Sequence, residues 1–188
     1  MEKTNGSGYI QSETNSMDKL INELLLLAKT ENAESLRNYV NFDLSKEAEM
    51  IVSAFESMAY EKKIEIKTNI QENMQMNGDR EDIKHILSTL LDNAIKHSTP
   101  ENNVDVKLCK EKNDVIISVK NVGDAIPEEE KDKIFERFYR IDKARNRNEK
   151  RYGLGLAIAK ATVEKYEGKI EVICKDGTVE FRASIKGM

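Results

Sequence analysis

DREDIKHILSTLLDNAIKHS, running from Asp79 to Ser98, carries two helical patterns at once. Ile83, Ile86, Leu87, Leu90, Leu91, Ala94 and Ile95 recur at helical spacing and make one stripe for a core, while Thr89, Asn93, Lys96 and His97 occupy the neighbouring side. The plain reading of such a side is the solvated flank of an amphipathic helix. The residue types suggest more. A carboxamide and an ammonium three residues apart share a face, where the Asn93 oxygen can hold a hard cation and the Lys96 ammonium can meet a phosphate oxygen. Asn93 and Lys96 are therefore the first candidates for nucleotide chemistry.

Working outward, Asn77-Gly78 turns the chain into this helix and Pro100 stops it. Upstream, Ile64, Ile66, Thr68 and Ile70 alternate as in a half-buried strand, and Asp43 caps a helix from Leu44 to about Lys62. From Tyr9 to about Thr30 a broad stripe of Met17, Leu20, Ile21, Leu24, Leu25 and Ala28, widened by Leu26 and Leu27, predicts a helix that needs a partner, either another chain or its own domain. Residues 1–8 show no periodicity and read as a flexible start or an expression scar. Downstream, Val104, Val106 and Leu108 alternate, Lys112-Asn113-Asp114 turns, and Val115 to Val119 makes the second strand of an antiparallel pair. A charged segment from Glu128 to Arg151 follows. Gly153 and Gly155 then precede a helix from about Leu156 to Glu167, closed by Gly168, and a hairpin turning at Asp176-Gly177 ends the chain. The interleaving predicts an α/β fold: a two-layer sandwich of a mixed β-sheet with helices on one face, preceded by an N-terminal helix.

Composition narrows the function. The 188 residues suffice for one buried domain and an appendage. Charged residues make up 34% but the net charge is only −4, so no broad basic field invites nucleic acid. The longest unbroken apolar run, Leu24 to Ala28, is too short to cross a bilayer. Cys109 and Cys174, each in a strand-like run, read as small buried hydrophobes in a reduced, cytosolic setting, and with two histidines no metal-ligand spacing of the CxxC or HxxxH kind is present.

Three further segments follow in order: Asn121-Val122-Gly123-Asp124-Ala125-Ile126-Pro127, then Phe135-Glu136-Arg137-Phe138-Tyr139-Arg140, then Tyr152-Gly153-Leu154-Gly155-Leu156-Ala157-Ile158-Ala159-Lys160. The chain has no GxxxxGK run, so phosphates must be held otherwise. Gly153-Leu154-Gly155-Leu156 opens a helix, whose backbone N–H groups can point at an anion that the missing Cβ atoms allow to approach.

Together these motifs resemble the catalytic and ATP-binding domain of bacterial sensor histidine kinases, members of the gyrase, heat-shock chaperone, histidine kinase and MutL superfamily, over about Tyr9 to Ile185. The resemblance implies the Bergerat ATP-binding fold, with the end of a dimerisation helix and its connector over 9–40 and the catalytic domain over 41–188. It implies ATP and Mg2+, the metal held by Asn93, with Lys96 and Arg140 neutralising the transferred γ-phosphoryl. Asn121 stands where the family's DxGxG box has its adenine-binding Asp, so an amide oxygen replaces a carboxylate; Gly123 is kept, Ala125 replaces the second glycine, and Ile126 supplies an apolar wall. His97 stands near the ligand, Gly153, Leu154, Gly155 and Leu156 hold phosphate, and Thr178 either approaches the adenine side or is only a hairpin residue. Thr89 occupies a position more often Asn and is no useful base. Phe135 and Phe138 pin the base of a mobile lid, whose Arg145, Arg147, Lys150 and Arg151 either attract nucleotide or keep the loop soluble, the second being favoured. Arg151 also replaces a glycine often found before the GLGL run.

The family's phosphoacceptor histidine would lie on a helix ahead of Tyr9, where this sequence has none. His85 reads as a solvated helix residue, so the chain is expected to bind nucleotide without autophosphorylating. The implied partners are ATP or ADP, the histidine-bearing dimerisation helix, the receiver domain of a response regulator, and a second copy through the N-terminal helix. The implied location is the cytoplasmic portion of a protein anchored in the bacterial inner membrane. Two other readings stand beside this one: a superfamily ATPase or serine kinase, and a degenerate nucleotide-binding or dimerisation module motivated by Thr89, Asn121, Ala125 and Arg151. Phosphohistidine formation on an added histidine helix separates them.

Overall fold

The computed structural model describes residues 5–31, 39–141 and 152–186. In chain order these form α1 (Asn5–Glu31), β1 (Val40–Asp43), α2 (Leu44–Glu61), β2 (Glu65–Ile70), β3 (Gln75–Gly78), α3 (Arg80–His97), β4 (Asn103–Glu111), β5 (Asp114–Val122), α4 (Gly155–Lys165), β6 (Lys169–Lys175) and β7 (Thr178–Lys186). Carboxylates start two of the helices: Asp43 accepts from the Lys46 amide and Asp79 from the Glu81 amide, each at 3.0 Å, which satisfies orphan donors of the first turn. The stripe read from Ile83 to Ile95 is buried throughout α3, none of its seven side chains exceeding 2% exposure.

Five strands form one sheet in the order β2-β4-β5-β7-β6, with β2 parallel to β4 and every other pair antiparallel. Alternation sends Val104, Val106, Leu108, Val115, Ile117, Val119, Phe181 and Ile185 into the core shared with the helices. The opposite face is laced by polar pairs across strands, among them Lys120 with Asp105 at 3.3 Å and Arg182 with Glu111 at 2.6 Å. This is the mixed sheet with helices on one face expected from the sequence.

Several local expectations change. Asn77 and Gly78 are not a turn; they pair with Asn41 and Val40 in a two-stranded antiparallel sheet of β1 and β3. Four-residue strands with one buried apolar side chain each, Phe42 and Met76, leave too little periodicity to read. The helix expected from Tyr9 already runs from Asn5, since extending an established helix costs only about 1 kcal/mol even at a glycine. α4 starts at Gly155, one residue before the expected Leu156, and ends at Lys165, two residues short of Glu167. Cys109 and Cys174 are free and only half-buried, Cys109 lying 3.8 Å from Glu111 on the polar face. The expectations for Arg145, Arg147, Lys150 and Arg151, for residues 1–4 and for the connector over 32–38 lie outside the described residues.

The broad stripe of α1 divides. Leu27 is buried with Leu154 and Ile158 of α4, and Leu20 and Leu26 pack beside them, while Met17, Ile21, Leu24 and Leu25 stay 40–60% exposed. One face thus folds back on its own domain, as the second of the two readings has it, and the other is left uncovered.

Candidate functional site

A cleft of about 1150 Å³ opens between α3, the end of β5, the start of α4 and the flank of α1. Its floor is the second face of α3. His85, Ser88, Thr89, Asp92, Asn93 and His97 all line it, three or four residues apart, so this face has a helical period of its own. Asn93 is half-buried there and His97 is exposed at the rim. Lys96 does not line the cleft: its ammonium pairs with Asp92, one turn back on the same helix.

The end of β5 forms one wall. Asn121 is 3% exposed, and its Nδ2 donates to the Val122 carbonyl at 3.3 Å, which leaves its oxygen free to accept. Asp124, Ala125 and Ile126 continue along the wall, with Val179 and Phe181 of β7 behind. Gly123 lines no part of the cleft. A Cβ there would stand 2.5 Å from the His97 carbonyl oxygen, so this glycine lets the end of α3 and the end of β5 come together. Thr178 is also outside the cleft; its hydroxyl donates to the Lys175 carbonyl at 2.7 Å, the hairpin role of its two alternatives.

Gly153, Leu154, Gly155 and Leu156 close the cleft at the start of α4. Gly153 holds φ +69°, and its carbonyl accepts from the Phe138 amide at 3.0 Å, tying the helix start to the charged segment. Leu154, fully buried against Leu27 and Ile158, contributes backbone rather than side chain. It caps α4 without any side-chain hydrogen bond, so first-turn N–H groups keep their donating capacity for an anion. Among the lid anchors, Phe135 is buried edge-on to Phe181 at 6.3 Å, whereas Phe138 is 58% exposed with φ +62° and only its backbone amide ties to Gly153 among the described residues. Tyr139 and Arg140, next in the run, line the cleft instead, and Tyr139 bonds Glu130 through its hydroxyl.

His85 corrects the reading of a solvated residue. Its ring is half-buried in the cleft wall and its Nε2 is buried without a partner. Burial holds its pKa below the ordinary 6.5, outweighing Asp82 and a hydrogen bond with the Gly155 backbone, which both act to raise it. Sequence reading also missed the contribution of α1, whose Asp18, Asn22, Glu23 and Leu26 line the cleft, and of Phe55 and Met58 on α2. The pairing of α1 with α4 joins residues more than a hundred positions apart, and nothing local announces it.

A model of the histidine kinase-, DNA gyrase B- and HSP90-like ATPase family matches residues 78–187. Sensor protein DltS of Streptococcus agalactiae is 34% identical over 162 residues, 86% of this chain and 41% of that protein. Sensor histidine kinase YkoH of Bacillus subtilis is 38% identical over 168 residues, 89% of this chain and 36% of that protein. The chain therefore spans about two fifths of the length of these curated relatives. The solved catalytic domain of the histidine kinase ThkA aligns with a TM-score of 0.70 at 27% identity, over 80% of this chain and 96% of that one. ThkA in complex with response regulator protein TrrA shares the fold, with a TM-score of 0.77 at 24% identity over 100% of this chain and 53% of that one.

Proposed function

The chain belongs to the histidine kinase-, DNA gyrase B- and HSP90-like ATPase family, and from that premise we propose that it is the ATP-binding catalytic part of a sensor histidine kinase. It transfers the γ-phosphoryl of Mg-ATP to a histidine on a dimerisation helix, for relay to an aspartate of a response regulator. The observation that supports this most is that Asn93, Asn121 and Gly155, far apart in sequence, line one cleft.

In this reading the Asn121 oxygen accepts from the adenine amino group while Ile126, Val179 and Phe181 make the apolar side of the base pocket. The open N–H groups of the first α4 turn face the phosphates. Asn93, a half-buried carboxamide in a cleft that also holds the Asp92 carboxylate, would hold a hard cation such as Mg2+ through its side-chain oxygen. When bound, Mg2+ spreads the negative charge of the phosphates. Arg140 lines the cleft, and Lys96 at its edge can exchange Asp92 for a phosphate oxygen on its flexible stem; both would offset charge on the transferred group. Transfer needs positioning more than acid or base catalysis, so the weak basicity of Thr89 is no obstacle.

A response regulator, as in the ThkA complex, is the proposed downstream partner. A second copy of the chain is the proposed partner of the uncovered α1 face. No helix among the described residues is long and apolar enough to cross a membrane; we assign this part to the cytoplasm, where ATP is, with an anchor elsewhere in the protein.

Calorimetric titration with ADP, with and without Mg2+, tests the site. The parent is expected to bind in a metal-dependent manner and Asn93→Ala to lose nearly all of that binding; equal binding by both would remove Asn93 from the site. ATP-dependent phosphohistidine formation on a separate polypeptide carrying the acceptor helix tests the reaction, and its absence despite tight ATP binding would favour the degenerate module.

A further inference from the structure

His85 sits in the cleft wall in a place that nucleotide contact does not explain. Its ring lines the cleft together with Gly155, the first residue of α4, and its Nε2 is buried without a partner. One turn later on α3, Thr89 Cγ2 lies 3.4 Å from where a Gly155 Cβ would stand. These two side chains form the seat on which the first turn of α4 rests. With no side-chain cap at Leu154, the direction in which the open N–H groups point depends on that seat.

The charged groups around the ring are specific. Asp82, on the same helix, is bonded to Lys165, the last residue of α4, and to Tyr166 just after it, each at 2.7 Å. Asp92, also on α3, is paired with Lys96. Asp18 and Glu23 come from α1, and Asp124 and Arg140 from the opposite wall. The α2 helix presents Phe55 and Met58, and the first turn of α4 carries no acidic residue.

We propose that His85 is a positioning residue for the nucleotide: its neutral ring seats the first turn of α4 against α3, and uptake of a proton at Nε2 unseats that turn and weakens nucleotide binding. The inference rests on the ATP-binding reading above. A second N–H at the buried Nε2 would have no acceptor, and an unpaired buried donor is costly. The protonated ring therefore prefers to leave, and the helix start loses its support. The sign follows from linkage. The folded value lies below 6.5, so the unfolded or unseated form binds protons more readily; the seated form has its full stability above pH 6.5 and loses it as pH falls through the lower folded value.

The test is titration of a fluorescent ADP analogue with Mg2+ between pH 7.5 and 5.0, on the parent, His85→Gln and His85→Ala. Protonation of the nucleotide's own phosphates gives every variant a common slope. Beyond it, the parent is expected to lose affinity by about tenfold, the equivalent of one pKa unit. His85→Gln, which keeps a polar side chain of similar size at this place but takes up no proton, is expected to rescue binding at pH 7.5 and to lack the excess slope. His85→Ala is expected to bind several-fold more weakly at every pH. A Gln variant with the parent's slope, or an Ala variant as tight as the parent, would overturn the proposal. NMR titration of the parent's imidazoles needs no variant: saturation with ADP should lower the His85 pKa, and an unchanged value would also overturn it. A parent that binds no ADP at any pH sinks the ATP reading itself; a parent that binds ADP but fails these two measurements sinks only the role of His85.

Discussion

Gly123 and Gly153 are both part of the glycine pattern read as ligand-binding, yet each is required by the backbone first. At Gly123 an added Cβ would meet the His97 carbonyl oxygen at 2.5 Å and Asn121 Nδ2 at 2.9 Å. At Gly153 the left-handed φ of +69° is joined by a Cβ approach of 2.7 Å to the Tyr139 carbonyl. Gly123→Ala is expected to cost about 1–3 kcal/mol by forcing backbone apart, measured by urea denaturation, and to weaken ADP binding because Asn121 must shift. Sequence showed that glycines were wanted here but not which atoms crowd them, because the crowding groups come from other elements. The same limit explains His85. A single residue off the apolar stripe looks solvated until α4, about seventy positions later, is laid against it. Asn93 and Asn121 were legible because chemical type and motif position mark them, whereas Lys96 was placed correctly on its helix but turned toward Asp92.

Between elements, the strongest polar joint ties the start of α3 to the end of α4. Asp82 receives bonds from Lys165 and the Tyr166 hydroxyl, and that hydroxyl accepts from the Asp79 amide at 3.0 Å. Tyr39, just ahead of β1, stacks on Tyr166 at 5.7 Å, so the lead into β1 is laid on the same joint. Burial pushes the Tyr166 phenol far above its ordinary range, which keeps it a neutral donor at every working pH. Tyr166→Phe leaves the Asp79 amide and one bond of the Asp82 carboxylate without a partner, and is expected to cost about 1–3 kcal/mol in urea denaturation while preserving the ring stack. Long elements with clear periods, α2, α3 and the β4-β5 and β6-β7 hairpins, were legible in kind and order, though β4 and β5 each run three residues past the last apolar position read as strand. The β1-β3 pair was not, since four residues per strand carry almost no pattern and their register is set by partners thirty residues away.

For the whole molecule, α1 has two masters. Leu27 anchors it to Leu154 and Ile158 beside the cleft, while Met17, Ile21, Leu24 and Leu25 face outward. Sedimentation velocity should show concentration-dependent self-association of the parent, and the double variant Ile21→Asp, Leu25→Asp should abolish it without shifting the denaturation midpoint of the catalytic part. Leu27→Ala acts on the other face: it removes packing worth about 2–3 kcal/mol, and hydrogen exchange along α1 should quicken. The breadth of the stripe was visible in the sequence; its division between two partners was not, because only the docked geometry tells which leucines are used. At the far side of the molecule the order of strands has a separate consequence. The sheet ends on β2 and β6, and both rails are studded with charge, Glu65 and Lys67 on one, Lys169, Glu171 and Lys175 on the other. Foreign strands find no bare apolar rail to zip onto, so crowded copies of this domain are kept from fibrous stacking and left to meet through their helices.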